Sequence, residues 1–377
     1  MIQTADAVVI GAGIIGAACA RELAKAGLRV TVVDERFTAA GVTSAAMGHI
    51  VVMDDSEAQF ALTHYSRKLW AALEPELPSD VEYDRCGTIW VATDEEEMAE
   101  VRRKLDYYRA RSVRAEILDR KALRAAEPNL SPSLVGGLLC PDDAVLYPPT
   151  AAAFLIREAG ARGAACRFGA RVSSIGNGSI RLADGTILAA AHVINAAGTA
   201  APRLTPGLDI KPRKGHLLIT DRYPGFLRHQ LVELGYLKSA HSLKSDSVAF
   251  NVQPRKTGQL LVGSSRQYEV DSAEIDSSIL ARMLQRAEKF MPSLGSLEGI
   301  RAWTGFRPAT PDKLPLIGPW PDDTSIHIAA GHEGLGITTS LATARLIADR
   351  ILGHTSEISP EPYAPARQMA AVANRNQ

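Results

Sequence analysis

An α/β fold with two domains is what this sequence predicts, one domain doubly wound around parallel strands and the other built mostly on an antiparallel sheet. The first observation is a short apolar run at residues 7–10, followed by Gly11-Ala12-Gly13-Ile14-Ile15-Gly16 and a helical run at 17–26. That helix closes at Gly27, the position after a helix end that favours glycine. The second is the β-branched run at 28–33, which ends at Asp34 and completes a βαβ unit of the Rossmann type. The third lies between 214 and 263, where strand-like segments (216–220, 247–252, 260–262) alternate with turns, the pattern of an antiparallel sheet.

The remaining elements follow in order. Residues 56–73 have helical periodicity, 87–92 read as a strand, and 95–110 form a charged helix opening after Thr93-Asp94. A helix is expected at 149–161 with proline in its first turn, then short strands at 171–175 and 179–182 and a buried strand at 189–197. Residues 270–290 read as mainly helical. From Gly305 the chain returns to glycine-rich turns, a strand at 326–329 and a last helix after Gly336, and beyond Pro360 a loosely held tail is expected.

At 377 residues the chain is long enough for two connected domains. Lys+Arg and Asp+Glu both number 42, with no run of like charge, which argues against nucleic acid or an anionic membrane as the main partner. Cys19, Cys86, Cys140 and Cys166 are widely spaced and form no metal or disulfide framework, which fits reduced thiols. The N-terminus has no basic region before its apolar stretch, and the longest uncharged stretch, 185–202, holds Asn195, His192 and two glycines. A cytoplasmic protein without a transmembrane segment or a metal is the expectation.

A glycine fingerprint alone is weak, but here it follows a strand and opens a helix, with Asp34 ending the next strand. Gly11 permits the tight turn, Gly13 lets a pyrophosphate approach the backbone, and Gly16 allows close packing of helix on strand. Ile14 and Ile15 start the helix, whose N-terminus faces the phosphates. Asp34, with Glu35 beside it, is placed to accept ribose hydroxyls. The motif does not distinguish NAD from FAD.

Other segments do. Thr43-Ser44-Ala45-Ala46-Met47-Gly48-His49, Val172, Asn195-Ala196-Ala197-Gly198 and a C-terminal signature stand in the order of a known family. That signature runs Gly305-Phe306-Arg307-Pro308, Thr310-Pro311-Asp312, Leu314-Pro315-Leu316-Ile317-Gly318 and Ala330-Gly331-His332-Glu333-Gly334-Leu335-Gly336. In these the chain resembles the D-amino-acid oxidase family of flavoproteins over nearly all of residues 3–353. The resemblance implies a Rossmann-type FAD-binding domain of the D-amino-acid oxidase kind, formed by 1–52, 145–205 and 305–360. The second, mostly antiparallel substrate-binding domain would comprise 53–144 and 206–304, with 361–377 as a tail.

It further implies that Thr43, Ser44, Ala46, Met47 and Gly48 run past the cofactor and that Val172 brackets the adenine. Ala197, Gly198 and Gly305 would let the dinucleotide pass, and Gly334, Leu335, Gly336, Ile337 and Thr338 would wrap the pyrimidine end of the flavin. Arg307 would project over the flavin and hold a substrate carboxylate. The physics agrees, since arginine is a permanently charged planar fork and a helix N-terminus stabilises negative charge on a reduced flavin. Flavin oxidation of an amine needs the α-hydrogen aimed at N5, a neutral amine and a dry pocket, and no strong acid–base pair. Candidate polar groups for that pocket are His49, Tyr236, His241, Asn251, His332 and Glu333, of which His49, Tyr236 and Asn251 join Arg307 as the catalytic set.

Within the family, Met47-Gly48-His49 and the stretch from Lys214-Gly215-His216 through Phe226 are similar to the catalytic β subunit of D-hydroxyproline dehydrogenases. That likeness implies cis-4-hydroxy-D-proline or D-proline as substrate and partner subunits that carry electrons away, with an FMN or other redox centre at a subunit interface. The chain departs from the glycine-oxidase branch in two places. Asn251 stands where that branch has an aromatic hydroxyl, and Gly334 where it has a second arginine. No cysteine stands where sarcosine oxidases tether flavin, so FAD is expected to be non-covalent. The alternatives are an oxygen-using glycine, sarcosine or D-amino-acid oxidase, a tRNA-modifying flavoprotein and a non-catalytic FAD subunit.

Overall fold

A computed structural model describes residues 3–176, 178–235 and 246–368. Its first sheet runs, by neighbouring strands, Leu316–Trp320, Asp323–Ala330, Ile187–Asn195, Gln3–Ile10, Val30–Val33 and Ala165–Arg167. All these pairings are parallel except the first. Strand Ser179–Leu182 extends it as an antiparallel neighbour of Ile187–Asn195, and Val172–Gly176 pairs antiparallel with Ser179–Leu182 in turn. Gln3–Ile10 is apolar on both faces because both are covered. Ala7 and Val9 meet the helices, while Val8 and Ile10 meet Ile180, Leu182 and Val193.

Helices Ile14–Lys25, Pro148–Ala161 and Gly336–Leu352 cover the first face, as the βαβ reading requires. Helix Glu57–Leu73 belongs with them. The sequence expectation puts residues 53–144 on the substrate side, yet Leu62, Trp70 and Leu73 enter this core and the Trp70 indole donates to the Ile337 carbonyl. Its start is as expected, with the Ser56 hydroxyl accepting from the Gln59 amide at 3.1 Å.

The second sheet has the order Gly299–Ala309, Lys211–Arg222, Gln259–Arg266, Ser247–Pro254, Gln230–Glu233, Thr88–Ala92, Gly136–Cys140, Glu116–Asp119. It is antiparallel apart from the Gln230–Glu233 pairing with Thr88–Ala92. Helix Ser277–Phe290 packs on one face, with Phe290 stacked on Phe250 at 4.6 Å between ring centroids. Helix Glu95–Arg109 opens with a capping box, in which Asp94 accepts from the Glu97 amide and the Glu97 carboxylate accepts from the Thr93 amide.

Four readings are corrected. Residues 270–276 are not helical, because Asp276 caps the helix that starts at Ser277. Gly305-Phe306-Arg307-Pro308 is not a turn. It lies in strand Gly299–Ala309, paired along Lys211–Arg222. Strands Glu116–Asp119, Gly136–Cys140 and Leu316–Trp320 went unread. The stretch after Pro360 is docked as far as residue 368: Tyr363 is buried and its hydroxyl donates to the Ala58 carbonyl at 2.5 Å, while the Gln368 carboxamide bridges the Asp209 backbone.

An ion pair locks the outer end of the second sheet. Lys104, fully buried, pairs with Asp54, and its ammonium stands 4.9 Å from the centroid of the Trp90 ring. Lys104→Met would leave a buried carboxylate with only the longer contacts from Arg103 and the Tyr108 hydroxyl among the described residues, so urea unfolding is expected to show a loss of about 3 kcal/mol. Adding Asp54→Leu should restore much of it.

Candidate functional site

A continuous cavity of about 1070 Å³ runs from the glycine turn to the inner face of the second sheet. That is the upper end of the range for ligand sites, and it is elongated enough in its lining to touch both sheets. At one end the chain turns at Gly11, whose φ of +104° places it where only glycine is at ease, and an added Cβ would lie 2.5 Å from the Ala196 carbonyl oxygen. Gly13 caps helix Ile14–Lys25, and the Thr43 hydroxyl accepts from the Ile14 amide at 3.0 Å. Gly16 does not line the cavity. Its role is packing, since a Cβ there would sit 1.8 Å from the Gly11 carbonyl oxygen.

Asp34 is held by two backbone amides, those of Ala12 at 2.7 Å and Arg36 at 2.8 Å. An ionised carboxylate accepts several bonds, so both oxygens retain capacity toward the cavity that Asp34 and Glu35 line. Val172, Ala197 and Gly198 complete this end.

Thr43, Ser44, Ala46, Met47, Gly48 and His49 line the cavity's middle. Gly48 has φ +108°, and a Cβ would fall 2.0 Å from the Leu146 carbonyl oxygen, so side-chain-free backbone is what lets this segment run between its neighbours. The segment is clamped from two sides. Gln253 donates to the Met47 carbonyl at 2.8 Å and Asn251 to His49 Nε2 at 3.3 Å, both from one strand of the second sheet. From the other side the Thr338 hydroxyl donates to the His49 carbonyl at 2.7 Å. Thr338 therefore holds the wall without lining the cavity, whereas Gly334, Leu335, Gly336 and Ile337 do line it, at the N-terminus of the last helix.

Arg307 and Gly305 line the far end. The Arg307 guanidinium donates to the Ser265 carbonyl at 2.9 Å and fills the space above Gly215, where a Cβ would come within 2.4 Å of it. It lies near enough to help lower the His49 pKa. Burial is the main cause, pushing His49 down to about 4 against an opposing contact with Gln230, so the ring is neutral at neutral pH. His332 also lines the cavity; it is pushed down by burial to about 3 and bonds Thr343 through Nε2 at 2.9 Å. Glu333 pairs with Arg213. Tyr236 and His241 lie outside the described residues.

These two histidines, with His64 and His327 also lowered by burial to about 4, have one consequence for stability. Unfolding lets each take up a proton below its ordinary value of 6.5, so their contribution is complete above that pH and is lost as pH falls toward 4. Asp143, raised by burial to about 6, works in the opposite sense over part of that range. With the histidines dominant, Tm should rise by about 5 °C or more between pH 5 and pH 7, and His332→Leu should flatten that slope.

Sequence reasoning missed Gln230, Gln253, Trp90, Arg213 and Arg266. All but Gln253 line the cavity, and Gln253 braces its wall. The available signal was alternation: polar Gln230, Asn251 and Gln253 interrupt otherwise apolar strands on a buried face.

These residues fit a dinucleotide. A glycine cradle at a helix N-terminus, a carboxylate at the next strand end and a clamped, small-residue wall form one continuous lining, with a second helix N-terminus farther along. None of the four cysteines lines the cavity.

The comparisons agree. Glycine oxidase from Geobacillus kaustophilus is 27% identical over 387 residues, covering 99% of each chain. Its crystal structure matches with a TM-score of 0.86 over 96% of this chain and 98% of that one. Hydrogen cyanide synthase subunit HcnC from Pseudomonas aeruginosa is 27% identical over 427 residues, again covering 99% of each. The crystal structure of L-proline dehydrogenase from P. horikoshii shares the fold, with a TM-score of 0.88, 24% identity and coverage of 98% and 99%. Among the described residues no helix is long and apolar enough to cross a membrane. Residues 6–350 match the family model described as DAO, FAD dependent oxidoreductase, and the chain belongs to that FAD-binding family.

Proposed function

We propose that this chain is an FAD-dependent dehydrogenase that oxidises a D-imino or D-amino acid, cis-4-hydroxy-D-proline or D-proline, to the cyclic imine. The observation that carries the reading is Arg307, a guanidinium seated over Gly215 at the end of the cavity remote from the glycine turn. A fork of fixed charge in a part-buried wall selects a carboxylate. FAD, when bound, supplies the two-electron acceptor for the α C–H bond.

The chain's own residues do the rest. Arg307 fixes the substrate carboxylate and thereby the orientation of the α-carbon. His49, neutral and braced by Asn251, offers a polar edge without placing a second positive charge beside the substrate nitrogen. The clamp from Gln253 and Thr338 keeps the Met47–His49 wall of the cavity rigid. Partner subunits carrying electrons onward are part of the proposal. They are supported by the likeness to HcnC, itself a subunit of hydrogen cyanide synthase.

The second reading is an oxidase passing electrons to oxygen, favoured by the full-length likeness to glycine oxidase. Turnover of D-proline with an electron-accepting dye and with oxygen separates the two. Dye reduction far exceeding peroxide release supports the dehydrogenase. Stoichiometric peroxide from the purified chain overturns it in favour of the oxidase.

A further inference from the structure

Part of the cavity wall is polar where a buried sheet face is normally apolar. Trp90, Val232 and Asn251 stand side by side on three neighbouring strands of the second sheet, opposite one another in register. Gln230 lies two residues before Val232 on its strand and so points to the same face. All four line the cavity, and Trp90 and Gln230 are each 2% exposed and Asn251 8%.

His49 closes over this face. Its Nε2 accepts from the Asn251 amide, which leaves the proton of the neutral ring on Nδ1. Gln230 stands close enough to that ring to oppose the fall in its pKa. Even so, His49 Nδ1, Trp90 Nε1, Gln230 Oε1 and Asn251 Oδ1 are buried and have no hydrogen-bond partner among the described residues. Buried polar atoms in this state are costly unless a ligand or a water answers them.

Their chemistry selects the ligand. Two of these atoms are N–H donors and two are carbonyl acceptors, so the set is neutral and suits a group that both accepts and donates. A carboxylate would set its oxygens against the Gln230 and Asn251 carbonyls, and an ammonium would meet two N–H groups. A hydroxyl satisfies both kinds at once. The place suits a substituent remote from the substrate carboxylate. Gly263, the partner of Asn251, lies two residues along its strand from Ser265, whose carbonyl accepts from Arg307. Strand geometry separates Asn251 from Ser265 by about 8 Å at the backbone, a span for one small ring with a group at each end.

We propose that Gln230 and His49 form a subsite for a hydroxyl on the substrate ring, His49 Nδ1 donating to its oxygen and Gln230 Oε1 accepting its hydrogen bond. Trp90 Nε1 and Asn251 Oδ1 offer the further donor and acceptor around it. The enzyme therefore takes a ring-hydroxylated imino acid in preference to the unsubstituted one. The proposal rests on the reading of Arg307 as holder of the carboxylate of a cyclic imino acid and names the other feature of that substrate.

The test uses ring acids without nitrogen, which bind but are not oxidised, added to the FAD-loaded protein and followed by the flavin absorbance. cis-3-Hydroxycyclopentane-1-carboxylate is expected to bind about tenfold tighter than cyclopentanecarboxylate, because the parent acid leaves the buried donors and acceptors unmet. cis-Cyclopentane-1,3-dicarboxylate should bind no tighter than the parent. Gln230→Met, close in size, should keep its FAD and bring the hydroxyl preference down to about twofold. Equal affinities of hydroxylated and parent acid in the wild type would overturn the subsite, and that result decides even where Gln230→Met does not fold. A folded Gln230→Met protein that has lost FAD, or that keeps the full preference, would overturn it too, as would a dicarboxylate that binds tighter than the hydroxy acid. Failure of both monocarboxylates to bind would overturn the reading of Arg307 and the subsite together. The substrate reading also fails separately. Absence of flavin reduction by D-proline and cis-4-hydroxy-D-proline, with the hydroxyl preference intact, would remove the imino-acid reading and keep the subsite.

Discussion

Gly13→Val is expected to give a folded protein that purifies without FAD. Gly13 has φ −68° and ψ 177°, open to any residue, and the only atom within 4 Å of an added Cβ is the Thr43 hydroxyl at 3.2 Å. The chain can therefore accept the side chain. The cavity cannot, because the new methyl groups enter the lining at the helix N-terminus where a pyrophosphate must approach the backbone. Flavin absorbance relative to protein should fall to roughly a tenth of wild type or less, with far-UV circular dichroism unchanged. Full FAD occupancy would mean that the dinucleotide does not lie on this turn.

Arg307→Leu carries the second large effect. The substitution removes the hydrogen bond to the Ser265 carbonyl and changes no residue of the glycine turn or the clamped wall, so FAD content should stay near wild type. The substrate carboxylate loses its charged partner in a part-buried site, which costs about 3–4 kcal/mol, or about 10²–10³ in kcat/KM. Arg307→Lys keeps the charge but not the fork, and a partial recovery is expected. An unchanged kcat/KM in Arg307→Leu would move the carboxylate site elsewhere.

How much of this was legible in the sequence depended on distance along the chain. The βαβ unit was, because Gly11, Gly13, Gly16, Gly27 and Asp34 are close together and each answers to a local geometric demand. Strand Gly299–Ala309 was not. Gly305 and Pro308 signal a turn locally, and only pairing with Lys211–Arg222, some ninety residues away, makes the segment extended.

The same holds for the site. Met47-Gly48-His49 could be placed by resemblance, but that Gln253 and Thr338 clamp it from opposite sides follows from contacts across 206 and 289 residues. Arg213 and Arg266 look like ordinary strand-end cations until register puts them beside Arg307. The helix expected from residue 270 shows the converse limit, since periodicity alone did not find the Asp276 cap.

The central claim is that this FAD-binding chain takes electrons from the α-carbon of a D-imino acid. Anaerobic mixing of the FAD-loaded protein with D-proline, cis-4-hydroxy-D-proline, their L-isomers, glycine, sarcosine and D-alanine, with flavin bleaching as the signal, tests it most directly. Selective bleaching by the D-imino acids is the predicted result. Bleaching by glycine or sarcosine, with the D-imino acids inert, would contradict it.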